Sequence, residues 1–297
     1  MGLGHLGFLL TYFRNVLSRS AFQMLLQKLN ARFPRKRVFI TGASSGLGLE
    51  LARALADEGW SLGLFDRNLE RLAVVEGDLS VSGVRVLAYP GDVTHADELT
   101  VAVNSFASTN DGLDVMINNA GVAATGALMD VPLEDWRWAV DINLMGVVHG
   151  CRAAIPHLQR NGSGLLINIA SAAAFGSAPN MIPYNATKAA VVSISESLVG
   201  ELRANGTQVS VAMPMFFVSN LLESCRGPEQ TRDKARELMR VSGYSAAAAA
   251  MDILRAASKG KTHIVLPRSA KALWMIKRLM PALFLNKLLP MAAEKSK

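Results

Sequence analysis

Cysteine, aromatic residues and long apolar runs are all scarce in this chain of 297 residues. The two cysteines, Cys151 and Cys225, lie far apart without CxxC or Cys/His spacing, so neither a disulfide framework nor a zinc site is predicted. We therefore expect no metal and a reducing, cytoplasmic location. No uncharged apolar run reaches the roughly 18–20 residues that a membrane-spanning helix needs.

Acidic residues are nearly absent from both ends of the chain. Residues 1–37 carry seven Lys or Arg and no acid, and residues 268–297 carry seven against Glu294. The formal net charge is +7, so the segment between the ends is net negative. This distribution excludes a nucleic-acid-binding protein with one broad basic face. It favours a soluble enzyme whose two ends contact something anionic.

Both basic ends are also amphipathic. Residues 1–36 fit a helix in a membrane interface, a helix packed on the protein or a sister subunit, or a mitochondrial transit peptide. In residues 268–297, lysines interleave with Trp274 and leucines, and Pro281 and Pro290 interrupt the pattern. We therefore predict peripheral membrane contact through both ends. The alternative is a homo-oligomer contact, in a dimer or tetramer.

A glycine-rich turn between a strand and a helix begins the central segment, residues 37–267. The strand is apolar and β-branched over 37–41, and leucines follow the turn at helical spacing. Gly42 permits the tight turn, Gly46 lets the backbone approach a pyrophosphate, and Gly48 lets the helix pack close to the strand. Free N–H groups at the helix N-terminus then face the phosphates. The predicted phosphate-side residues are Gly42, Ser44, Ser45, Gly46, Leu47 and Gly48.

An acid ends the next predicted strand, residues 61–66. Asp66 would accept hydrogen bonds from an adenosine ribose diol and repel a 2′-phosphate, so NAD is expected and NADP is less favoured. Arg67 follows at once and offsets part of that repulsion. Two further strands are predicted over 84–89 and 113–118. Residues after them should border the dinucleotide: Asp92, Val93, Asn119, Ala120 and Gly121.

Tyr184 and Lys188 are spaced to lie one turn apart on the same face of a helix. An ammonium near a phenol lowers the phenol pKa from about 10 toward the working range. Such a tyrosine can give a proton to a carbonyl oxygen or take one from an alcohol. Ser171 ends a predicted strand over 165–170, at the sheet edge where such folds bind ligands. Alone, the Tyr/Lys spacing is common on solvated helices.

Five ordered motifs resemble the short-chain dehydrogenase/reductase family over about residues 36–267: TGASSGLG, NNAG, DINLMG, Ser171 and YNATK. The resemblance implies an α/β, Rossmann-type fold, a doubly wound parallel sheet with strand order 3-2-1-4-5-6-7 in one domain. It also implies an NAD(P)-dependent oxidoreductase. At Ser45, NADP-preferring relatives often carry a basic residue, which again favours NAD.

The same resemblance implies a catalytic tetrad, Asn143, Ser171, Tyr184 and Lys188. Tyr184 would be the general acid/base, and Lys188 would bind the nicotinamide ribose and depress the Tyr184 pKa. Ser171 would hold the substrate oxygen. Asn143, inside a helix predicted over 134–159, would anchor a water that relays protons.

The loop after the strand predicted over 207–213 departs from the family. The usual Pro-Gly is replaced by Pro214-Met215-Phe216-Phe217 beside the expected nicotinamide amide, and residues 215–240 should form a lid. The predicted wall is apolar, with no Arg or Lys placed to hold a carboxylate or phosphate. An apolar secondary alcohol or ketone of lipid, steroid, retinoid or long-chain type is therefore expected. Its predicted contacts are Ser171, Ala172, Phe175, Met181, Met215 and Phe216, and Pro214 is assigned to the cofactor.

Two other functions stay open. One is a dinucleotide-binding scaffold that no longer catalyses, although such a protein would be expected to lose Tyr184, Lys188 or Ser171. The other is a membrane-interface binding protein whose ends are the functional part.

Overall fold

Seven parallel strands form one sheet at the centre of the protein. The computed structural model describes residues 26–81 and 83–294. The sheet order is β3-β2-β1-β4-β5-β6-β7, which confirms the predicted order and the doubly wound class. The strands are β1 (Arg37–Thr41), β2 (Ser61–Asp66), β3 (Val86–Pro90), β4 (Val115–Asn118), β5 (Gly164–Ile169), β6 (Thr207–Pro214) and β7 (His263–Leu266).

Helices follow the strands and cover both faces of the sheet. Their bounds are α1 (residues 26–32), α2 (Gly46–Ala56), α3 (Leu69–Ser80), α4 (Ala96–Thr109), α5 (Leu133–Val140), α6 (Gly146–Arg160), α7 (Ala173–Gly176), α8 (Ile182–Leu202), α9 (Glu229–Ser242), α10 (Ala246–Ser258), α11 (Ala270–Leu279), α12 (Pro281–Leu283) and α13 (Leu289–Glu294).

Alternate residues of each strand face two separate hydrophobic clusters. Val38 and Ile40 pack with α1, α2, α3 and α10, whereas Phe39 packs with α4, α6 and α8 on the opposite face. Successive side chains of a strand point to opposite faces, and a parallel sheet is covered on both. This explains why the strands are continuously apolar. The order reverses beside β1, so the carboxyl ends of β1 and β4 form the crevice where such sheets bind ligands.

The helix predicted over 134–159 is confirmed, since helical residues run without a break from 133 to 160, but it is not a regular α-helix throughout. A π-helical turn, Asp141–Met145, separates α5 from α6, and Gly146 N–H bonds to the carbonyl of Asp141. A π turn adds one residue to the turn and shifts the faces of the helix that follows. The periodicity of the sequence does not reveal it, and it carries Asn143.

The two ends of the described chain pack on the body. Leu26, Leu29 and Phe33 are buried, and Asn30 Oδ1 accepts a 2.9 Å hydrogen bond from the Trp60 indole. Of the alternatives for residues 1–36, packing on the protein itself therefore applies to residues 26–33; residues 1–25 lie outside the described chain. At the other end, Phe284 is buried. Within residues 26–81 and 83–294, no helix is both long enough and apolar enough to span a bilayer.

Candidate active site

A cavity of about 680 Å³ opens at the carboxyl ends of the central strands. That volume lies within the range of small-molecule and cofactor sites. Its wall runs from Asp66, at the end of β2, to Met181, at the start of α8.

Close backbone approach shapes the phosphate end of the cavity. Gly42 has a φ of +64°, and a Cβ there would lie 2.8 Å from the Ala120 Cα. A Cβ at Gly48 would lie 2.1 Å from the Gly42 carbonyl oxygen. Ser45 precedes α2 without a side-chain cap bond, so the first N–H groups of the helix are open to a ligand anion. This cradle fits a pyrophosphate.

Thr41 and Asn119 join the glycine turn to the turn after β4. The Thr41 hydroxyl accepts the N–H groups of Asn119 and Ala120 at 3.0 and 3.1 Å. The Asn119 amide donates to the carbonyls of Thr41 and Gly42, both at 3.0 Å. The two turns are therefore held as one rigid rim, which is why the NNAG sequence is informative only beside the glycine turn.

Asp66 has a structural role and also lines the cavity. One carboxylate oxygen accepts the Ser44 N–H at 3.0 Å, and the other accepts the Asn68 N–H at 2.9 Å. The carboxylate thus connects the glycine turn to the start of α3. Its remaining lone pairs are available to a ribose diol.

Burial controls the protonation of Tyr184 and Lys188. Burial raises the pKa of the Tyr184 hydroxyl, and a hydrogen bond with Ser171 acts in the opposite direction. Burial lowers the pKa of Lys188 to about 8, and its ammonium donates to the Ile169 carbonyl at 2.9 Å. The Lys188 nitrogen lies 5.8 Å from the centroid of the Tyr184 ring. Desolvation is the larger of the two influences on the pKa of Tyr184, and the lowering of that pKa by Lys188 stays a prediction.

Ser171 is held by the backbone around it. Its hydroxyl lies 3.4 Å from the Pro214 carbonyl and accepts the Ala173 N–H at 3.1 Å. The Ala172 N–H also reaches the Pro214 carbonyl, at 2.8 Å, and the Met215 N–H reaches the Leu266 carbonyl at 2.8 Å. The Pro214-Met215 loop that departs from the family therefore fixes the position of Ser171.

Asn143 is buried behind the cavity wall. Its amide oxygen accepts the Val122 N–H at 2.8 Å, and its nitrogen donates to the Val122 carbonyl at 2.9 Å and to the Thr187 hydroxyl at 3.2 Å. A Cβ at Gly121 would lie 3.1 Å from the Asn143 oxygen and 3.3 Å from the Lys188 nitrogen. Asn143 thus supports the turn that separates it from the cavity.

The structure brings nearly all predicted site residues to the cavity wall. The exceptions are Gly48, which packs on Gly42, and Asn143. The predicted residues on the wall are Gly42, Ser44, Ser45, Gly46, Leu47, Asp66, Arg67, Asp92, Val93, Asn119, Ala120, Gly121, Ser171, Ala172, Phe175, Met181, Tyr184, Lys188, Pro214, Met215 and Phe216.

Several wall residues were not predicted. Arg71 lies in the first turn of α3, four positions after Arg67, and this spacing was a usable signal, whereas nothing in the sequence indicated Glu223 in the lid. Arg232 also lines the cavity, so the expectation that no Arg or Lys faces this wall was wrong. Phe284 and Leu288 come from the C-terminal end. The lid predicted over 215–240 does line the cavity, through 215–217, 219–225, 231, 232, 235 and 239.

Comparison with known proteins decides the family. The family model described as short chain dehydrogenase matches residues 36–230, more than half of the chain. The chain belongs to the short-chain dehydrogenase/reductase family. Members of this family are NAD(P)-dependent oxidoreductases, and this chain is one in fold and in cofactor class.

Its relatives include an oxidoreductase without a stated substrate and a reductase with one. An uncharacterised oxidoreductase of Staphylococcus aureus (strain USA300) is 36% identical over 179 residues, 60% of this chain and 77% of that protein. A 3-oxoacyl-[acyl-carrier-protein] reductase of S. aureus (strain Mu50) is 32% identical over 190 residues, 64% and 77% of the two chains.

Two solved structures show the cofactor class. A short-chain dehydrogenase/reductase from Burkholderia phymatum in complex with NAD superposes with a TM-score of 0.79 at 26% identity, covering 84% of this chain and 94% of that one. A short-chain dehydrogenase from Sphingobium yanoikuyae in complex with NADPH gives a TM-score of 0.70 at 25% identity, covering 84% and 95%.

Proposed function

We propose that this protein interconverts an apolar secondary alcohol and its ketone, with NAD as the preferred dinucleotide. The observation that carries the proposal is that Ser171, Tyr184 and Lys188 line one cavity, with the Lys188 nitrogen 5.8 Å from the centroid of the Tyr184 ring. Beyond the Ser171 and Tyr184 hydroxyl groups the substrate side of the wall is mostly apolar, and Arg232 adds a charged side chain there. A carbonyl oxygen that reaches both hydroxyls is polarised and can receive a proton.

The residues present fit a nicotinamide dinucleotide, which supplies the hydride. The glycine turn and the N-terminus of α2 would hold its pyrophosphate, and Asp66 its adenosine ribose. Lys188, 3% exposed and beside Gly121, would hold the nicotinamide ribose. Asn143 would then act by supporting the turn at Val122; its proposed water relay stays a prediction.

Tyr184 is proposed as the proton donor in ketone reduction. Because its pKa is raised, the hydroxyl is protonated at neutral pH and ready to donate to the substrate oxygen. In the reverse direction the phenolate must form, and the neighbouring Lys188 ammonium stabilises it. Ser171, fixed by Pro214 and Ala173, would orient the same oxygen.

The substrate class rests on the wall beyond Ser171. The predicted contacts Ala172, Phe175, Met181, Met215 and Phe216 are joined there by Phe284 and Leu288. Such a wall suits a lipid, steroid, retinoid or long-chain ketone. The related 3-oxoacyl reductase acts, by its name, on a ketone in an acyl chain. That activity supports the class without fixing the substrate.

The two basic ends are proposed to contact a membrane peripherally, and a homo-oligomer contact is the alternative. Residues 268–291 carry five Lys or Arg and no acid. The proposed location is cytoplasmic, at a membrane surface, with mitochondrial targeting as the other possibility.

Tyr184→Phe tests the central assignment. Removing the hydroxyl should lower turnover by about 10²–10⁴-fold, the usual contribution of a general acid/base. NADH and NAD binding, followed by fluorescence titration, should persist because the ring is retained. Substrates would be alcohols and ketones of increasing chain length, followed by NADH absorbance. Normal turnover by the variant would refute the assignment, and dinucleotide binding without turnover by the wild type would favour a silent scaffold.

A further inference from the structure

The C-terminal segment, residues 270–291, has an inner face on the cavity. Phe284 is 2% exposed, and it lines the cavity together with Leu273, Leu288 and Leu289. Phe175 and Met215, which are expected to contact the substrate, line the same cavity and belong to one hydrophobic cluster with Leu273. The segment therefore borders the predicted substrate contacts.

The outer face of the same segment is apolar and exposed to solvent. Residues 279–283, Leu-Met-Pro-Ala-Leu, are five consecutive exposed positions. Leu279 is 71% exposed, Met280 47% and Leu283 41%, and Leu285 after the buried Phe284 is 45% exposed. Single exposed apolar residues are ordinary, but a run of them indicates an interaction surface.

Basic residues surround this exposed run. The basic residues of the segment and its approach are Arg268, Lys271, Lys277, Arg278 and Lys287, and no acid occurs before Glu294. The Lys277 ammonium lies 4.9 Å from the Phe284 ring centroid, and the Arg278 guanidinium lies 5.0 Å from that of Trp274. Aromatic rings beside cations, next to exposed leucines, are typical of segments in the headgroup region of a bilayer.

Charge decides between the possible occupants of this face. A second copy seated on it symmetrically would bring five cations against five, which costs free energy unless counter-charges intervene. A nucleic acid would satisfy the cations but leave the leucines and Met280 in water. An anionic bilayer takes up both the cations and the apolar side chains.

We propose that residues 270–291 dock their outer face on an anionic bilayer while their inner face walls the substrate end of the cavity. An apolar ketone dissolved in the bilayer then enters the cavity beside Phe284. The docking deepens the proposed membrane contact by assigning it to this face, and the entry route rests on the proposed ketone chemistry.

Vesicle flotation of the full chain tests the outer face. The probes are phosphatidylcholine vesicles alone and vesicles in which about one-third of the lipid is phosphatidylserine, the anionic headgroup of the proposal. Wild type should float only with the anionic vesicles. The double variant Leu279→Glu, Leu283→Glu should bind them at least about tenfold more weakly. The matched control Val101→Glu, at a position 68% exposed on α4, should bind like wild type.

Turnover tests the coupling between the two faces. The double variant should lose turnover of a long-chain ketone supplied in vesicles, while a short, water-soluble ketone is turned over within about twofold of wild type. Phe284→Ala should change the preference for chain length without changing flotation. If the double variant binds vesicles as well as wild type does, the docking proposal is wrong. It is also wrong if the double variant loses an oligomeric state of the wild type while its vesicle binding is unchanged. Correct flotation with no turnover of any ketone instead refutes the proposed function.

Discussion

Arg71 and Glu223 form an ion pair across the cofactor end of the cavity. The two atoms, Arg71 Nη1 and Glu223 Oε2, are 2.8 Å apart, although the residues are separated by 152 positions. Arg71 belongs to α3, and Glu223 follows the short helical turn Asn220–Leu222 in the lid. Both side chains are about half exposed, so the pair contributes little to stability. Its position connects the lid to the adenosine side.

Glu223→Gln is expected to improve NADP binding relative to NAD. The Glu223 carboxylate already pairs with the Arg71 guanidinium, which a 2′-phosphate would otherwise bind. The carboxylate also adds a negative charge near Asp66. We expect the ratio of the association constant for NADH to that for NADPH to fall by about threefold to tenfold, measured by fluorescence titration of both reduced cofactors.

Glu237→Gln is the matched control. It breaks the exposed Arg240–Glu237 pair, which lies within α9 and away from the cavity wall. An equal change in both variants would show that general surface charge is responsible. When Arg71→Gln is added to Glu223→Gln, the gain in NADP affinity should shrink. The double variant thus separates the contribution of the Arg71 guanidinium from that of the Glu223 charge.

Asp66→Ala should narrow the difference in binding affinity between NAD and NADP, because it removes the acid expected to face the 2′ position of the adenosine ribose. It also removes the acceptor of the Ser44 and Asn68 N–H groups, so the melting temperature should fall by a few degrees. Asp66→Asn retains one acceptor oxygen and should lose less stability while narrowing the gap. Unchanged preference in both variants would exclude Asp66 from the ribose site.

The sheet was predictable because its strands are short apolar runs between turns. Val38, Phe39 and Ile40 are all buried, and the glycine turn follows directly, so the strand and its ligand-binding end are both visible in the sequence. The π turn at Asn143 was not predictable, since one extra residue in a turn leaves no mark in hydrophobic spacing. Its apolar neighbours fit a continuous helix equally well.

The site was predictable where motifs lie at strand ends, and obscure where distant segments meet. Ser171 and Tyr184 follow from local patterns, whereas Phe284 reaches the cavity only because α11 and the turn at Pro281 return the chain to it. Residues 268–297 show amphipathic spacing, but that spacing cannot say which face is inward. The pKa of Tyr184 depends on burial, which the Tyr/Lys spacing does not contain.

Lys188→Met should change how stability depends on pH. Burial lowers the pKa of Lys188 to about 8, whereas in an unfolded chain it stays near its ordinary value of about 10.4. Between these values the unfolded state binds more protons, so the free energy of unfolding rises with pH. The penalty of burying the ammonium is full below pH 8 and is relieved as the pH rises.

Wild type should therefore gain ~2 kcal/mol relative to Lys188→Met between pH 7.5 and 9.5, measured by urea denaturation. Tyr184→Phe is the control, because the raised pKa of Tyr184 affects stability only above about pH 10, and in the opposite direction. Parallel curves for wild type and Lys188→Met would show that the ammonium is not desolvated.

Arg232 provides a test of whether the substrate carries an anionic end. It lines the cavity from the first turn of α9, and among the described residues its buried Nε atom has no hydrogen-bond partner. Its charge acts on Cys225, which packs in one cluster with Tyr184 and Ala123, so Arg232 belongs to the substrate side. A guanidinium there favours a carboxylate at the far end of an apolar chain.

Arg232→Gln should raise the KM for a long-chain ketone with a terminal carboxylate by about tenfold, because a charge-assisted hydrogen bond is lost. The same ketone ending in a methyl group should change by less than about twofold. Arg236→Gln, one turn along the same helix at an exposed pair with Asp233, is the matched control. If the KM values for both ketones change equally, Arg232 stabilises the lid and does not bind a substrate carboxylate. The substrate would then be uncharged along its length.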